Sequence, residues 1–353
     1  MKKILLIATV YRVGERIYSA IPELSKVAQL DLLIINQMSS KCEWYGDIDP
    51  RVNFIKLYSQ YFNNIFDAGY SSTNADPSKL VIELDINGYD LIVYDDNRNR
   101  HGLGNIYKRA KQYNIPVIGC VHGAGKSDIN ALDAMYDYLC VFGEKELRLH
   151  NYSSKIKKIG IPSNDKLKAL HKTEQHILVI VNYLGNRSCP FPVQVDSEFI
   201  KRAGLKELQD EFNKKVVFKL KSRLDHPYPQ KDVEYLKHII GDTLDYDILM
   251  DGDNDKIIAD SFIVISAPST LSIKSIQLGI PTILIKGSGA EEVHLNNFQG
   301  LVDLDTQTIF NEIERQHNKG HDVNFIKDTI EGGVDFNSTG KFIKVIKEVI
   351  DEK

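Results

Sequence analysis

The chain has 353 residues, too many for one ordinary domain and about right for two. Hydrophobic residues make up 42% and charged residues 26%, which excludes a disordered or fibrous protein; the net charge of −4 advertises no polyanion-binding surface. Cys42, Cys120, Cys140 and Cys189 are scattered without CxxC spacing, which argues against a disulfide framework or a zinc site. The apolar stretch Met1–Val10 is too short for a signal h-region and runs into Tyr11-Arg12 with no small-residue cleavage site. No run approaches the ~18 apolar residues of a membrane span. The expectation is therefore a cytoplasmic protein with no integral membrane segment.

The first half alternates short apolar segments with amphipathic ones. Ile4–Thr9 predicts a strand, followed by Tyr11-Arg12-Val13-Gly14-Glu15-Arg16, either a plain turn or a loop that presents Arg12 and Gly14 to a ligand cleft. Strands follow at Asp31–Asn36, Leu91–Asp95 and Pro116–Val121, with a helix at Asn105–Tyr113. After Val121 stands His122-Gly123-Ala124-Gly125-Lys126-Ser127-Asp128. A histidine leaving a strand can project its ring as a general base, and Gly123 lets the backbone approach a ligand, with Lys126 nearby. A phosphate loop is rejected, because Cys120 stands where GxxxxGK[ST] needs its first glycine. Asp95-Asp96 is read as a strand end and turn. Tyr138–Phe142, a helix at Glu144–Asn151 and Lys157–Ile159 complete the half, and polar Lys168 to His176 fits a linker.

The pattern then restarts. His176–Val181 predicts a strand leading into Asn182-Tyr183-Leu184-Gly185-Asn186-Arg187-Ser188, where Gly185 gives access and Arg187 supplies a planar cation for phosphate oxygens. Val216–Leu220 precedes Lys221-Ser222-Arg223, and Lys221 is placed to neutralise a leaving diphosphate without a metal. A helix at Asp232–Ile240 and a strand at Ile248–Met250 come next. The most specific segment is Phe262–Ser266, Ala267-Pro268-Ser269-Thr270, the helix Leu271–Leu278, Gly279-Ile280-Pro281 and the strand Thr282–Lys286. Here a strand ends in small residues, and Ser269 or Thr270 caps a helix whose N-terminus favours a phosphate, with Ser266 beside it. Helices at Thr308–Lys319 and Phe342–Ile350 close the chain. The plainer alternatives are a packing histidine at 122, a solvated arginine at 187 and a solvated strand edge at 221.

Strands that are apolar on both faces and alternate with helices predict an α/β protein with doubly wound parallel sheets. The restart divides it into two Rossmann-like domains, residues 1–172 and 173–335, and a closing helix, 336–353.

Ala259 to Ile283 resembles the nucleotide-sugar-binding segment of GT-B enzymes. Ile159-Gly160-Ile161-Pro162-Ser163-Asn164-Asp165-Lys166-Leu167 is similar to a segment closing the first domain of CDP-glycerol glycerophosphotransferases and of UDP-N-acetylglucosamine 2-epimerases. His122-Gly123 and His226-Pro227 are similar to motifs of the former family. The resemblance implies two Rossmann-like domains facing a central cleft, the first binding the acceptor and the second the donor. It also implies a nucleotide-diphosphate sugar as donor, UDP or alternatively CDP, with no tightly bound cofactor and no metal. It implies a glycosyltransferase; the alternatives are a glycerophosphotransferase, a 2-epimerase, a transferase acting on a modified DNA base, or a non-catalytic nucleotide-sugar-binding protein. The acceptor is open among a glycan, a polymer, a metabolite and a modified base. One departure stands out: relatives carry a ribose-binding carboxylate where this chain has Lys274, so either ribose recognition differs or a neighbour such as Glu291 or Glu292 supplies the carboxylate.

Overall fold

The computed structural model describes residues 1–8, 17–36, 50–70, 83–95, 103–121, 136–147, 155–182, 184–185, 192–220, 229–267, 269–288 and 295–352. Contacts divide the chain into one unit of Met1–Asp165 with Lys327–Lys353 and a second of Lys166–Ile326.

The first unit is built on a seven-stranded sheet of β1 (Lys3–Ala8), β2 (Gln29–Asn36), β3 (Asn64–Tyr70), β4 (Leu91–Tyr94), β5 (Val117–Cys120), β6 (Tyr138–Val141) and β7 (Lys155–Lys158). The order is β3-β2-β1-β4-β5-β6-β7, and every pairing is parallel. Strand periodicity splits the apolar runs between two covered faces. Ile4, Leu6, Leu30, Leu32 and Val93 pack on one side with Phe342, Val345 and Ile346 of the last helix. Leu5, Ile7, Leu33, Ile92 and Tyr94 pack on the other with Ile106, Tyr107 and Ala110 of α1 (Leu103–Gln112). The inner strands β1, β4, β5 and β6 therefore read as apolar sequence, because both of their faces are covered.

The second unit repeats the plan with β8 (His176–Ile180), β9 (Lys215–Lys219), β10 (Tyr246–Leu249), β11 (Ser261–Ser266), β12 (Thr282–Ile285) and β13 (Leu301–Val302). The order is β10-β9-β8-β11-β12-β13, again all parallel. Three of its helices bear on the site: α2 (Asn254–Ala259), α3 (Thr270–Gln277) and α4 (Thr306–Lys319). Ile258 of α2 packs under Leu178, Ile180 and Val264, whereas Ile309 and Ile313 of α4 cover Ile263, Ile265 and Ile283 on the opposite face. Gln316 of α4 completes the sheet by another route. Its side chain accepts from the Thr282 amide at 2.7 Å and donates to the Thr282 carbonyl at 2.8 Å, so it satisfies both backbone groups as a neighbouring strand would.

The last helix, α5 (Ser338–Asp351), belongs to the first unit. Its N-cap residue Asn337 makes no side-chain cap; the Asp165 carboxylate accepts instead from the Ser338 and Thr339 amides, at 2.9 and 2.6 Å. Gly160 lies beneath, at φ +71°, where any Cβ would overlap the Glu331 carbonyl oxygen and the Ser338 hydroxyl. The glycine and the aspartate of the Gly160–Asp165 motif thus have packing work: they seat the start of α5. No helix among the described residues is long and apolar enough to cross a membrane.

Candidate functional site

In open α/β sheets a ligand is bound beyond the carboxyl ends of the strands, where the strand order reverses. In the second unit the reversal lies between β8 and β11. The segments leaving those ends are Val181-Asn182 and Ala267, and a cavity of about 10 Å3, room for a single water, is lined there by Ile180, Asn182, Gln194, Ala267 and Ser288 among others.

The helix that follows β11 starts at this place. Ser269, extended at φ −154° and ψ 152°, is the N-cap of α3; its hydroxyl accepts from the Leu271 amide at 3.2 Å, and the Ser272 hydroxyl accepts from the Ser269 amide at 3.2 Å. Ser272 is fully buried and also donates to the Ser269 carbonyl at 2.6 Å, which fixes the angle at which chain enters helix. First-turn amides have no partner within a helix, and the dipole adds partial positive charge, so the arrangement suits an anion. Thr270 is the first helical residue. Ser266 is 2% exposed and its hydroxyl donates to the Ala267 carbonyl.

Gly185 lies close to Val195, donating to its carbonyl at 3.1 Å. A Cβ there would meet the Tyr235 hydroxyl at 2.7 Å and Asp196 at 2.8 Å, so the absent side chain serves a close approach within the unit. Lys219, at the carboxyl end of β9, is 4% exposed; its ammonium donates to the Leu220 and Met250 carbonyls, both at 2.7 Å. It neutralises the ends of two strands from inside.

Lys274, in the last turn of α3, is turned inward. It is 8% exposed and its ammonium meets Asp255 of α2 at 2.5 Å. The lysine at this position is thus an internal ion-pair partner of α2.

In the first unit the reversal lies between β1 and β4. Asp95, directly after β4, is 2% exposed, and the Tyr18 hydroxyl donates to its carboxylate. The sequence predicts only a strand end at Asp95. The signal for more was its position, an acid immediately after four fully apolar residues at the order reversal. Val121 leaves β5 buried, hydrogen-bonded to the Cys140 carbonyl. Of the expected site residues, Ser266 ends β11, Ser269 caps α3, Thr270 opens α3, and Gly185 packs against Val195 and Asp196. Arg12, Gly14, His122, Gly123, Lys126, Arg187, Lys221, Glu291 and Glu292 lie outside the described residues.

No family model matches the chain, and no curated protein does. Solved structures do. A UDP-GlcNAc 2-epimerase from Methanocaldococcus jannaschii superposes with a TM-score of 0.67 at 14% identity, covering 99% of this chain and 100% of that one. A glycosyltransferase from Rickettsia africae matches at TM-score 0.59 and 13% identity, over 100% and 99%. The wall teichoic acid polymerase TagF matches at 0.56 and 10%, over 99% and 89%. At such identities the likeness is one of fold. The two parallel doubly wound sheets are those of the GT-B architecture, and the α/β class expected from the apolar runs is the one observed.

Proposed function

We propose that this chain is a glycosyltransferase that takes its sugar from a nucleotide diphosphate, UDP before CDP, and holds the diphosphate at the start of α3. The observation that carries the reading is the capped N-terminus of α3, set at the carboxyl end of β11 where the second sheet reverses its strand order. Arg187 and Lys221 would take the diphosphate charge, so that transfer needs no divalent metal. On the first unit His122 would act as general base on an acceptor hydroxyl, with Arg12, Gly14, Gly123 and Lys126 on the acceptor side. Glu291 or Glu292 would replace the carboxylate for which Lys274 is unavailable.

A panel of UDP, CDP, GDP and their sugars tests the donor class by thermal shift. A ligand at about 100 times its Kd stabilises the folded state by roughly 2.7 kcal/mol, so UDP should raise the unfolding midpoint clearly and GDP should not. No shift with any nucleotide removes the reading. His122→Ala should abolish transfer while the UDP shift stays as in wild type; unchanged transfer would take the base role from His122. A second reading, a nucleotide-sugar 2-epimerase, is favoured by the full-length match to the archaeal enzyme. Incubation with UDP-GlcNAc alone separates the two, because an epimerase changes the sugar at C2 without an acceptor.

A further inference from the structure

Lys274 lies one helical turn beyond Thr270, on the helix that begins at the candidate anion site. Its ammonium contacts one oxygen of Asp255 at 2.5 Å, and Lys166 contacts the other oxygen, also at 2.5 Å. The Asp255 side chain is 7% exposed and that of Lys274 9%, whereas that of Lys166 is 58% exposed. Burial by itself would raise the Asp255 carboxyl, but the two ammonium groups outweigh it and hold the group below the ordinary carboxylate value. One carboxylate is thus gripped from two sides by charge-assisted hydrogen bonds, the strong and directional kind.

The third member matters because of where it stands. Lys166 is the first residue of the second unit, and its covalent neighbour Asp165 is the last residue of the first unit's long stretch. Asp165 is engaged in its own unit, capping α5 through the Ser338 and Thr339 amides. Lys166 is engaged in its unit, on Asp255. Between them lies one peptide bond. A shift of α3 acts on Asp255 through Lys274, and Asp255 can take it up only by moving with Lys166 or by losing a buried contact.

We infer that Lys274, Asp255 and Lys166 are positioning residues that tie the anion-binding start of α3 to the crossing segment Pro162–Ala169 and, through Asp165, to the start of α5. The inference rests on the reading of α3 as the diphosphate site. Small displacements at a ligand site become discrete changes elsewhere when the intervening contacts are packed and bistable rather than compliant.

Amide hydrogen exchange of the full chain with and without UDP tests it. In wild type, UDP should slow exchange by about threefold or more at residues 270–273 and also at 162–169 and at Ser338–Thr339. Lys166→Met removes the charge at an exposed side chain and keeps the fold. It should leave the slowing at 270–273 intact and abolish it at 162–169 and 338–339; Lys166→Arg should restore it. Slowing at 162–169 that is the same in Lys166→Met overturns the coupling and leaves the nucleotide reading standing, as does wild-type slowing confined to 270–273. No slowing at 270–273 in wild type overturns the nucleotide reading itself, and the inference falls with it.

Discussion

Asp31→Ala should lower the unfolding midpoint of the first unit by roughly 10 °C, from a loss of about 3–5 kcal/mol at 2–4 °C per kcal/mol for a unit of this size. Asp31 is fully buried inside β2. Its carboxylate accepts from the Tyr89 hydroxyl at 2.6 Å, the Asn64 amide at 3.1 Å and the Asn64 side chain at 3.0 Å, and pairs with Lys3 at 3.0 Å. Alanine leaves all four donors without this acceptor, and Tyr89 is itself 4% exposed. Asp31→Asn keeps an acceptor oxygen and loses the charge, so it should cost less. Burial alone would raise the Asp31 carboxyl, yet the hydrogen bonds from Tyr89, Lys3 and Asn64 prevail and hold it below the ordinary 3.8. A carboxylate with a depressed folded-state value stabilises fully above its unfolded value and loses that contribution as pH falls through the folded one. The wild-type advantage over Asp31→Asn in urea unfolding should therefore be constant from pH 7 to about 5 and shrink below pH 4. An advantage that is flat down to pH 2 would mean that the charge does not matter.

Gly160→Ala should cost about 2–5 kcal/mol, the sum of left-handed backbone strain and of overpacking against atoms that cannot step aside. The Glu331 carbonyl is main chain, and the Ser338 hydroxyl belongs to a fully buried residue donating to that carbonyl at 3.0 Å. To make room, the start of α5 must lift from Asp165. Gly88 is the matched control: its φ is +96°, but nothing lies within 4 Å of a Cβ placed there. Gly88→Ala should thus show the backbone strain alone, about 1–2 kcal/mol. Equal losses in the two variants, measured by denaturant unfolding, would show that the close approach at Gly160 is harmless.

The parts of the fold legible in sequence are those fixed by near neighbours in the chain. Ile4–Thr9, His176–Val181 and Phe262–Ser266 fall within one residue of β1, β8 and β11 at each end, because both faces of a central parallel strand are covered and the run is uniformly apolar. β3 escaped because Asn64-Ile-Phe-Asp-Ala-Gly-Tyr breaks that run with Asn64, Asp67 and Gly69, as an edge strand can. β13 has two residues and offers no pattern. The helix Leu271–Leu278 was placed one residue late, since a capping serine is a local signal. What could not be read is long-range: Asp165 acts on an amide 173 residues away, and Lys274 on a carboxylate 19 residues back on another helix. Nothing in either local sequence announces its partner. Likewise Asp31 looked like the first residue of a strand, and only the fold sets Tyr89, Lys3 and Asn64 around it.

The placement of α5 has a consequence for how the protein is made. Phe342, Ile346 and Val349 fill the same core as Ile4, Leu6 and Leu32, yet more than three hundred residues separate them in the chain. During synthesis the face of the first sheet that α5 shares with Tyr18, Ile21, Leu24 and Phe54 should stay partly uncovered until α5 itself is translated. The second unit is continuous and can close on itself as soon as Ile326 has emerged. Folding in the cell should then run out of chain order, the later unit first, with the earlier one held as an intermediate that exposes Ile4, Leu32 and Phe54 to chaperones or to aggregation.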